Sequence, residues 1–258
     1  MRVQLFDCPV DILTMAETVA LASAAMRDRR PTHHVAINVA KLVNMRDQPE
    51  LKDDVERADI AGIDGMGIIL ALKLRGLLVP ERVPGVDLMQ NLLAVCARQG
   101  FRPYFLGAEP SVLAAAVRVA QERHPELQFA GQQDGYFKPH EEARVVEVIR
   151  ASAADCLFVG MPTPAKERFL ATHRHELGVP FIMGVGGSFD ILAGKTQRAP
   201  KMLQRWGLEW LYRIYQEPRR MWRRYARTNM IFARLLLASF IRPEASNAGP
   251  NAGSWPNV

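Results

Sequence analysis

Short apolar runs recur along the first three-quarters of the chain. Runs of this length are typical of strands that are buried on both faces of a parallel sheet. The predicted strands are HVAINV (34–39), ADIAGI (58–63), RPYFLG (102–107), LQFAG (127–131), CLFVG (156–160) and PFIMGVG (180–186).

Between most of these runs, apolar residues recur at helical spacing. Strands that alternate with helices predict an α/β fold, in which a parallel-sheet core carries helices on both faces. Folds of this kind bind ligands at the carboxyl ends of their strands. The predicted helices span residues 66–74, 88–99, 111–123, 141–151 and 164–175.

The C-terminal segment has a different pattern. Residues 207–229 hold two tryptophans, three tyrosines and six arginines. Pro218 should interrupt the helix predicted here, because proline is tolerated only in a first turn. We therefore divide the chain into a core (1–195), a C-terminal helical appendage (196–242) and a Pro-, Gly-, Asn- and Ala-rich tail that is predicted to be disordered (243–258).

Positive charge is concentrated in the same appendage. The 258 residues carry a net charge of +6, but residues 195–234 alone contain eleven Lys or Arg and two acids. The remainder is slightly acidic, so the cationic segment is expected to meet phosphate, nucleic acid or an anionic membrane. The three cysteines form no CxxC pair, and neither a signal peptide nor a membrane-spanning run is predicted.

The aromatic residues of the appendage favour a membrane surface, because amphipathic rings are enriched at the headgroup boundary. The apolar segment MIFARLLLASFI (230–241) is too short to span a bilayer and is expected to lie on one. The alternative is an amphipathic helix that packs on the core and keeps a solvated basic face.

Asp64 lies between a predicted strand and a predicted helix, in GIDGMGI (62–68). It could cap the helix by accepting hydrogen bonds from free backbone N–H groups. It could also act as a general base, since flanking glycines let a substrate hydroxyl come close. The two roles are compatible.

A glycine cluster follows the last predicted strand, in GVGGSFD (184–190). Bare backbone N–H groups at Gly186 and Gly187, ahead of a helix that contains Asp190, could bind phosphate, although a plain tight turn has the same sequence. Phe189 stands where a dinucleotide-binding motif would have its third glycine, which favours a nucleotide diphosphate. Gly107 and Gly160 end two other predicted strands in the same way.

Arg82 and Tyr136 are further candidates for substrate binding. Arg82 lies beside a Pro-Gly turn, either as a surface charge or as a phosphate clamp. Tyr136, in DGYFKP (134–139), either belongs to the core or stacks on a base or sugar. The sequence has no HExxH, no Walker loop and no Asp-Xaa-Asp, so no metal or other cofactor is expected and arginine must neutralise any diphosphate.

Taken together, these residues resemble the WecG/TagA/CpsF family of bacterial glycosyltransferases over residues 30–235. The most specific matching segment is also the longest, GVGGSFDILAGKTQRAPKMLQRWGLEWLYRIYQEPRR. The others are ADIAGIDGMGI, ERVPGVDL, FLGAEPS, DGYF and FVGMPTPAKERF.

The resemblance implies a Rossmann-like core and a metal-independent reaction. A hexose or N-acetylhexosamine would pass, with inversion, from a UDP-sugar to a polyprenyl-diphosphate-linked sugar (undecaprenyl in bacteria) at the inner face of the plasma membrane. Exopolysaccharide or surface polysaccharide would be the product. No nucleic-acid partner is expected, and a homo-oligomer remains open.

The resemblance also assigns roles to individual residues. Asp64 would be the base, and Asn38 and Arg82 would lie in the substrate pocket. Three appendage arginines would close over the donor diphosphate, namely Arg213, Arg220 and Arg223.

Two positions depart from the family pattern. Ala36 stands where members usually carry threonine, and Lys166 stands where most carry a pocket glutamine. These changes leave the reaction class intact but leave the donor sugar open among N-acetylmannosamine, its uronic acid and glucose.

Two other functions remain as alternatives from the residues alone. A basic nucleic-acid-binding α/β protein would also combine arginine with aromatic residues, although its charge should cover a whole face. A dinucleotide-dependent oxidoreductase would share the strand–helix alternation, but it would need a fuller glycine motif early in the chain.

Overall fold

One mixed sheet forms the centre of the protein. The computed structural model describes residues 1–241, and within them eight strands are joined in the order β1-β2-β4-β3-β8-β7-β5-β6. All neighbouring strands run parallel except the β1–β2 hairpin. The strands are β1 (Arg2–Leu5), β2 (Cys8–Asp11), β3 (Thr32–Ile37), β4 (Ile60–Ile63), β5 (Pro103–Gly107), β6 (Gly131–Gln133), β7 (Cys156–Gly160) and β8 (Phe181–Gly184).

Helices cover both faces of this sheet, which confirms the predicted Rossmann-like α/β architecture. Those before the appendage are α1 (Met15–Arg27), α2 (Val39–Asp47), α3 (Pro49–Glu56), α4 (Met66–Leu74), α5 (Gly85–Gln99), α6 (Pro110–Arg123), α7 (Glu142–Ala151), α8 (Ala165–His173) and α9 (Ser188–Leu192). The appendage contains α10 (Lys201–Arg205), α11 (Glu209–Gln216) and α12 (Pro218–Ile241).

Five of the six predicted strands and all five predicted helices are confirmed to within a few residues. The strand predicted at 127–131 is wrong. Leu127 and Phe129 enter the core from irregular chain, with Phe129 edge-on to Phe105, whereas the strand itself is the short, polar edge strand β6. The N-terminal hairpin and helices α1, α2 and α3 were not predicted.

The core consists of buried side chains on both faces of the sheet. One face packs against α1, α5, α6 and α9, and Phe105, Phe158, Phe181 and Phe189 fill its centre. On the other face, one cluster involves α2, α3 and α4, and a second involves α7 and α8. The sheet is therefore enclosed, and the loops at its carboxyl edge remain for a site.

The appendage packs on the core. Pro218 is the first residue of α12, directly after α11, so the predicted interruption is confirmed. Phe232 is 6% exposed and its ring lies edge-on to Phe6, 6.1 Å away. A Cβ on Gly67 would lie 2.5 Å from Val39 Cγ2 and 3.4 Å from the Phe232 ring, so the glycine leaves room for the close approach of α2 while α12 stays in ordinary contact. A cut after Gly194 would uncover this core surface.

This packing changes the interpretation of residues 230–241. Ile231, Phe232, Leu235 and Leu236 face the core, and among the described residues of the segment only Met230 and Leu237 are strongly exposed large apolar side chains. The expectation that the whole segment lies on a membrane is therefore wrong. The predicted disordered tail, 243–258, lies outside the described residues.

Two buried histidines in β3 make stability depend on pH. Burial, helped by the charges of Arg174 on His33 and Lys41 on His34, lowers the pKa of His33 to about 3 and that of His34 to about 4, from an ordinary 6.5. In the unfolded chain both rings take up protons as the pH falls below about 6.5, whereas in the folded chain they stay neutral. The unfolded state therefore gains from acidification.

We predict that the free energy of unfolding falls below pH 6.5 by about 1.4 kcal/mol per pH unit for each histidine, until the folded-state pKa values are reached. Denaturant titrations between pH 7 and pH 4.5 would measure this slope. The double variant His33→Asn/His34→Asn should flatten it, whereas the exposed control His140→Asn should keep it. An unchanged slope in the double variant would contradict the assignment.

Candidate active site

The candidate residues meet at the carboxyl edge of the sheet. Asn38 follows β3, Asp64 follows β4, and Gly186 and Gly187 follow β8. Because β4 and β8 both adjoin β3, these three strand ends are neighbours. The structure therefore brings these candidate residues together at one edge of the sheet.

Asp64 does not cap the following helix. Gly65 is the N-cap residue of α4, and no side chain caps the backbone N–H groups at this end of the helix. The half-buried Asp64 carboxylate instead accepts from the backbone N–H of Gly85 at Oδ1 (3.2 Å) and from Asn38 Nδ2 at Oδ2 (3.4 Å). The capping interpretation was wrong, and Oδ2, which takes one long hydrogen bond, has the lone pairs to accept another.

Asn38 connects this carboxylate to helix α2. Its Oδ1 accepts from the backbone N–H of Lys41 at 3.0 Å and so caps α2. That bond fixes which end of the amide faces Asp64, because the oxygen is already engaged. A Cβ on Gly65 would lie 3.1 Å from Asn38, so the two strand ends pack closely. Asn38 orients the carboxylate of Asp64 from the side.

The glycines at the strand ends fall into two groups. Gly107 and Gly160 pair across β5 and β7, and a Cβ on Gly107, whose φ is +120°, would lie 2.7 Å from the Gly160 carbonyl. A Cβ on Gly160 would lie 2.4 Å from the ring of Phe189, so the lack of a side chain at Gly160 leaves room for that ring. These two glycines serve packing. Gly186 has no heavy atom within 4 Å of a virtual Cβ and presents bare backbone to open space.

Tyr136 and Asp190 lie near this glycine edge. Gly135 donates to the Ala108 carbonyl at 3.2 Å, which holds the turn against β5 and leaves Tyr136 69% exposed. The core interpretation of Tyr136 is wrong, whereas Phe137 packs on the core. The half-buried Asp190 carboxylate lies 3.9 Å from Lys195 Nζ.

Arg82 is not a surface charge. Its side chain is 13% exposed and forms an ion pair with Glu209 of α11. Glu209 also accepts from Arg198 Nε at 3.4 Å, and Arg198 forms a two-bond ion pair with Asp87 in the first turn of α5. The sequence prediction missed Glu209, Asp87 and Arg198, because nothing in the chain order indicates which carboxylate meets which arginine.

A buried cationic cluster lies beside the ends of β8 and β3. The carboxylate of Glu167 receives both Lys41 Nζ (2.8 Å) and Lys166 Nζ (2.7 Å), and Lys166 also donates to Thr163. Burial and the charge of Lys41 lower the pKa of Lys166 to about 8. Burial alone would raise the pKa of Glu167, but the two lysines overcome it and lower that pKa to about 2.

The four side chains in this cluster do not balance in charge. Two lysines and one carboxylate leave one uncompensated positive charge in a place with little solvent. Lys166 Nζ is engaged by protein atoms, and its methylene groups lie 2.9 Å from a virtual Cβ on Gly184. Lys166 therefore adds charge and volume beside the end of β8.

The appendage arginines do not all share one environment. Arg213 and Arg223 are exposed and have no ion-pair partner among the described residues, and the side chain of Arg220 lies outside what the structure describes. Arg224, which the sequence prediction did not include, is near enough for its charge to lower the pKa of Lys166. Because α11 ends before Pro218, Arg213 and Arg220 belong to different helices.

Residues 1–241 contain no group of three or more His, Cys, Asp or Glu side chains that could hold a metal ion. The polar groups at the site are instead a carboxylate, backbone N–H groups and cations. Such a set can accept a proton and stabilise phosphate charge.

A comparison with protein families identifies the class of protein. The model of the glycosyl transferase WecG/TagA/CpsF family matches residues 3–246, nearly the whole chain. This match decides against the nucleic-acid-binding and oxidoreductase alternatives. The chain therefore belongs to the WecG/TagA/CpsF family of glycosyltransferases, and takes a sugar donor and an acceptor substrate in cell-surface polysaccharide synthesis.

Proposed function

We propose that this protein is an inverting glycosyltransferase that moves a hexosyl or N-acetylhexosaminyl group from a UDP-sugar to an undecaprenyl-diphosphate-linked sugar. The observation that carries the proposal is the Asp64 carboxylate, which is held by Gly85 and Asn38 at the same sheet edge as the bare backbone of Gly186. A base and an anion-binding backbone at neighbouring strand ends suit group transfer from a nucleotide diphosphate.

The mechanism is a single displacement at the anomeric carbon. Asp64 takes the proton of the acceptor hydroxyl as that oxygen attacks C1 of the donor from the face opposite UDP. The C1–O bond breaks and its electron pair leaves with UDP. The Gly85 N–H holds Oδ1 in place, while Oδ2, whose bond to Asn38 is long at 3.4 Å, receives the proton.

The charge that develops on UDP needs cations and dipoles. The backbone N–H groups of Gly186 and Gly187 and the guanidinium of Arg82 would meet the diphosphate, and Arg213, Arg220 and Arg223 would close over it. Tyr136, which is exposed beside the glycine edge, would stack on the uracil or the sugar. Lys166 would contribute to the stabilisation of the diphosphate through its positive charge.

We further propose that the appendage binds the inner face of the plasma membrane. No helix among the described residues is long and apolar enough to cross a bilayer. Two pairs at i, i+4 spacing present exposed apolar side chains, Met202 of α10 with Trp206 at the C-terminal cap of that helix, and Leu211 with Tyr215 on α11. The cations Arg213 and Arg223, which have no ion-pair partner within residues 1–241, are available to anionic headgroups.

A donor screen tests the reaction class. With a short-chain polyprenyl-diphosphate-sugar acceptor, one UDP-sugar should give a product whose mass increases by one hexosyl or N-acetylhexosaminyl group. The activity measured with EDTA should equal the activity measured with EDTA that has been saturated with Mg²⁺. The saturated chelator controls for effects of EDTA other than metal removal. Transfer only from another nucleotide-sugar, or a strict need for added Mg²⁺ or Mn²⁺, would overturn the proposal.

Removal of the base tests the role of Asp64. Asp64→Asn keeps the acceptor for the Gly85 N–H but cannot take a proton, so turnover should fall by about 10²–10⁴. UDP affinity, measured by calorimetry, should barely change. Asp53→Asn, an exposed carboxylate on α3, is the matched control and should keep full turnover. Near-normal turnover of Asp64→Asn would refute the role.

Membrane binding is tested with apolar substitutions alone. The triple variant Trp206→Ser/Leu211→Ser/Tyr215→Ser should bind vesicles that contain anionic phosphatidylglycerol at least about tenfold more weakly, because each side chain loses apolar area that would be buried in the interface. Val148→Ser, an exposed apolar residue on α7, should bind as well as the natural chain. Equal vesicle binding by the triple variant would contradict the membrane proposal.

A further inference from the structure

Glu209 joins the appendage to Arg82 of the core and also contacts Arg198 within the appendage. It is the first residue of α11, and its carboxylate meets Arg82 through Oε2 and Arg198 through Oε1. Arg198 also bonds to both oxygens of Asp87, with 2.7 Å between NH2 and Oδ2. Two guanidinium groups and two carboxylates therefore form a chain without net charge.

That neutrality affects any anion that approaches Arg82. The side chains of Arg82 and Glu209 are 13% and 24% exposed, so solvent and salt screen their contact less than they would screen a surface pair. A diphosphate on the Arg82 guanidinium would lie close to the Glu209 carboxylate. Like charges that share one partly buried cation repel each other strongly.

We propose that Glu209 occupies the position on Arg82 that the donor diphosphate takes when it binds. The appendage carboxylate and the donor therefore compete for one guanidinium. The inference rests on the proposed function, which assigns Arg82 to the donor. Donor binding releases Glu209 and the first turn of α11, while α12 stays anchored through the buried Phe232. Linkage makes the effect reciprocal, since whatever removes Glu209 strengthens donor binding.

The sign of one measurement separates this role from simple positioning. If Glu209 oriented Arg82 for the donor, loss of its charge would weaken donor binding. If Glu209 competes with the donor, loss of its charge strengthens binding. Glutamine nearly matches glutamate in size and helix propensity, so Glu209→Gln isolates the charge.

The experiment is a calorimetric titration of the full chain with UDP at low ionic strength. Glu209→Gln should bind UDP roughly five- to tenfold more tightly than the natural chain, within the usual range of coupling between two sites. Glu209→Asp, which withdraws the carboxylate by one methylene but keeps its charge, should show a smaller gain and guards against a folding defect in the first variant. Glu147→Gln, an exposed carboxylate on α7, should show no gain.

The gain must also depend on Arg82. In an Arg82→Gln background, Glu209→Gln should no longer improve UDP binding, because the shared cation is gone. Equal or weaker UDP binding by both Glu209 variants would overturn the inference, and so would a full gain in the Arg82→Gln background.

Inorganic pyrophosphate separates this inference from the donor assignment. If no form of the protein binds UDP, the proposed donor is wrong, and pyrophosphate decides the competition alone. Tighter pyrophosphate binding by Glu209→Gln than by the natural chain would then support it. Equal, weaker or undetectable pyrophosphate binding would overturn it.

Discussion

The hydrogen bond from the Gly85 N–H to Asp64 is the interaction on which the site depends. Gly85 is the first residue of α5, where a backbone N–H has no partner within the helix, so the bond costs the helix nothing. Val83, two residues earlier, donates to the Ile63 carbonyl and fixes this turn to the end of β4. Arg82 and Asp87, on either side, hold the appendage through Glu209 and Arg198. Six consecutive residues thus position the base, the core and the appendage together.

The features that the sequence predicted are those that local chemistry determines. Apolar runs identified the central strands, and Pro218 marked the start of α12 because its ring cannot continue a helix. The edge strand β6 was missed because a strand with one partner needs no apolar run. Helix α1 was missed although Thr14 and Glu17 form a capping box, a signal that sequence analysis could have used. The pairing of Arg82 with Glu209 spans 127 positions, and only the folded chain reveals it.

The charge of the appendage also has more than one use. Its excess predicted a single cationic surface, but two of its arginines are paired with core carboxylates. Arg198 meets Asp87 and Arg227 meets Asp47, and Lys195, the last residue of the core, meets Glu109. The two arginine ion pairs hold the appendage on the core, whereas composition alone predicted a solvated basic face. Arg213 and Arg223 are exposed and have no ion-pair partner in the part of the chain that the structure describes, so they are left for anions outside the fold, whether lipid or donor.

Helix α11 brings the two proposed roles of the appendage within one rigid element. Glu209, at its first position, contacts Arg82 of the core, and Tyr215, 82% exposed, lies six residues later, about 9 Å along the axis. Trp210 packs near Tyr225 of α12, with ring centroids 6.0 Å apart, so the far side of α11 rests on a helix that is anchored in the core. A short helix between these contacts cannot tilt at one end without moving the other. On the two proposals made above, a membrane that binds Tyr215 and a donor that displaces Glu209 act on the same helix, and each therefore changes the affinity for the other.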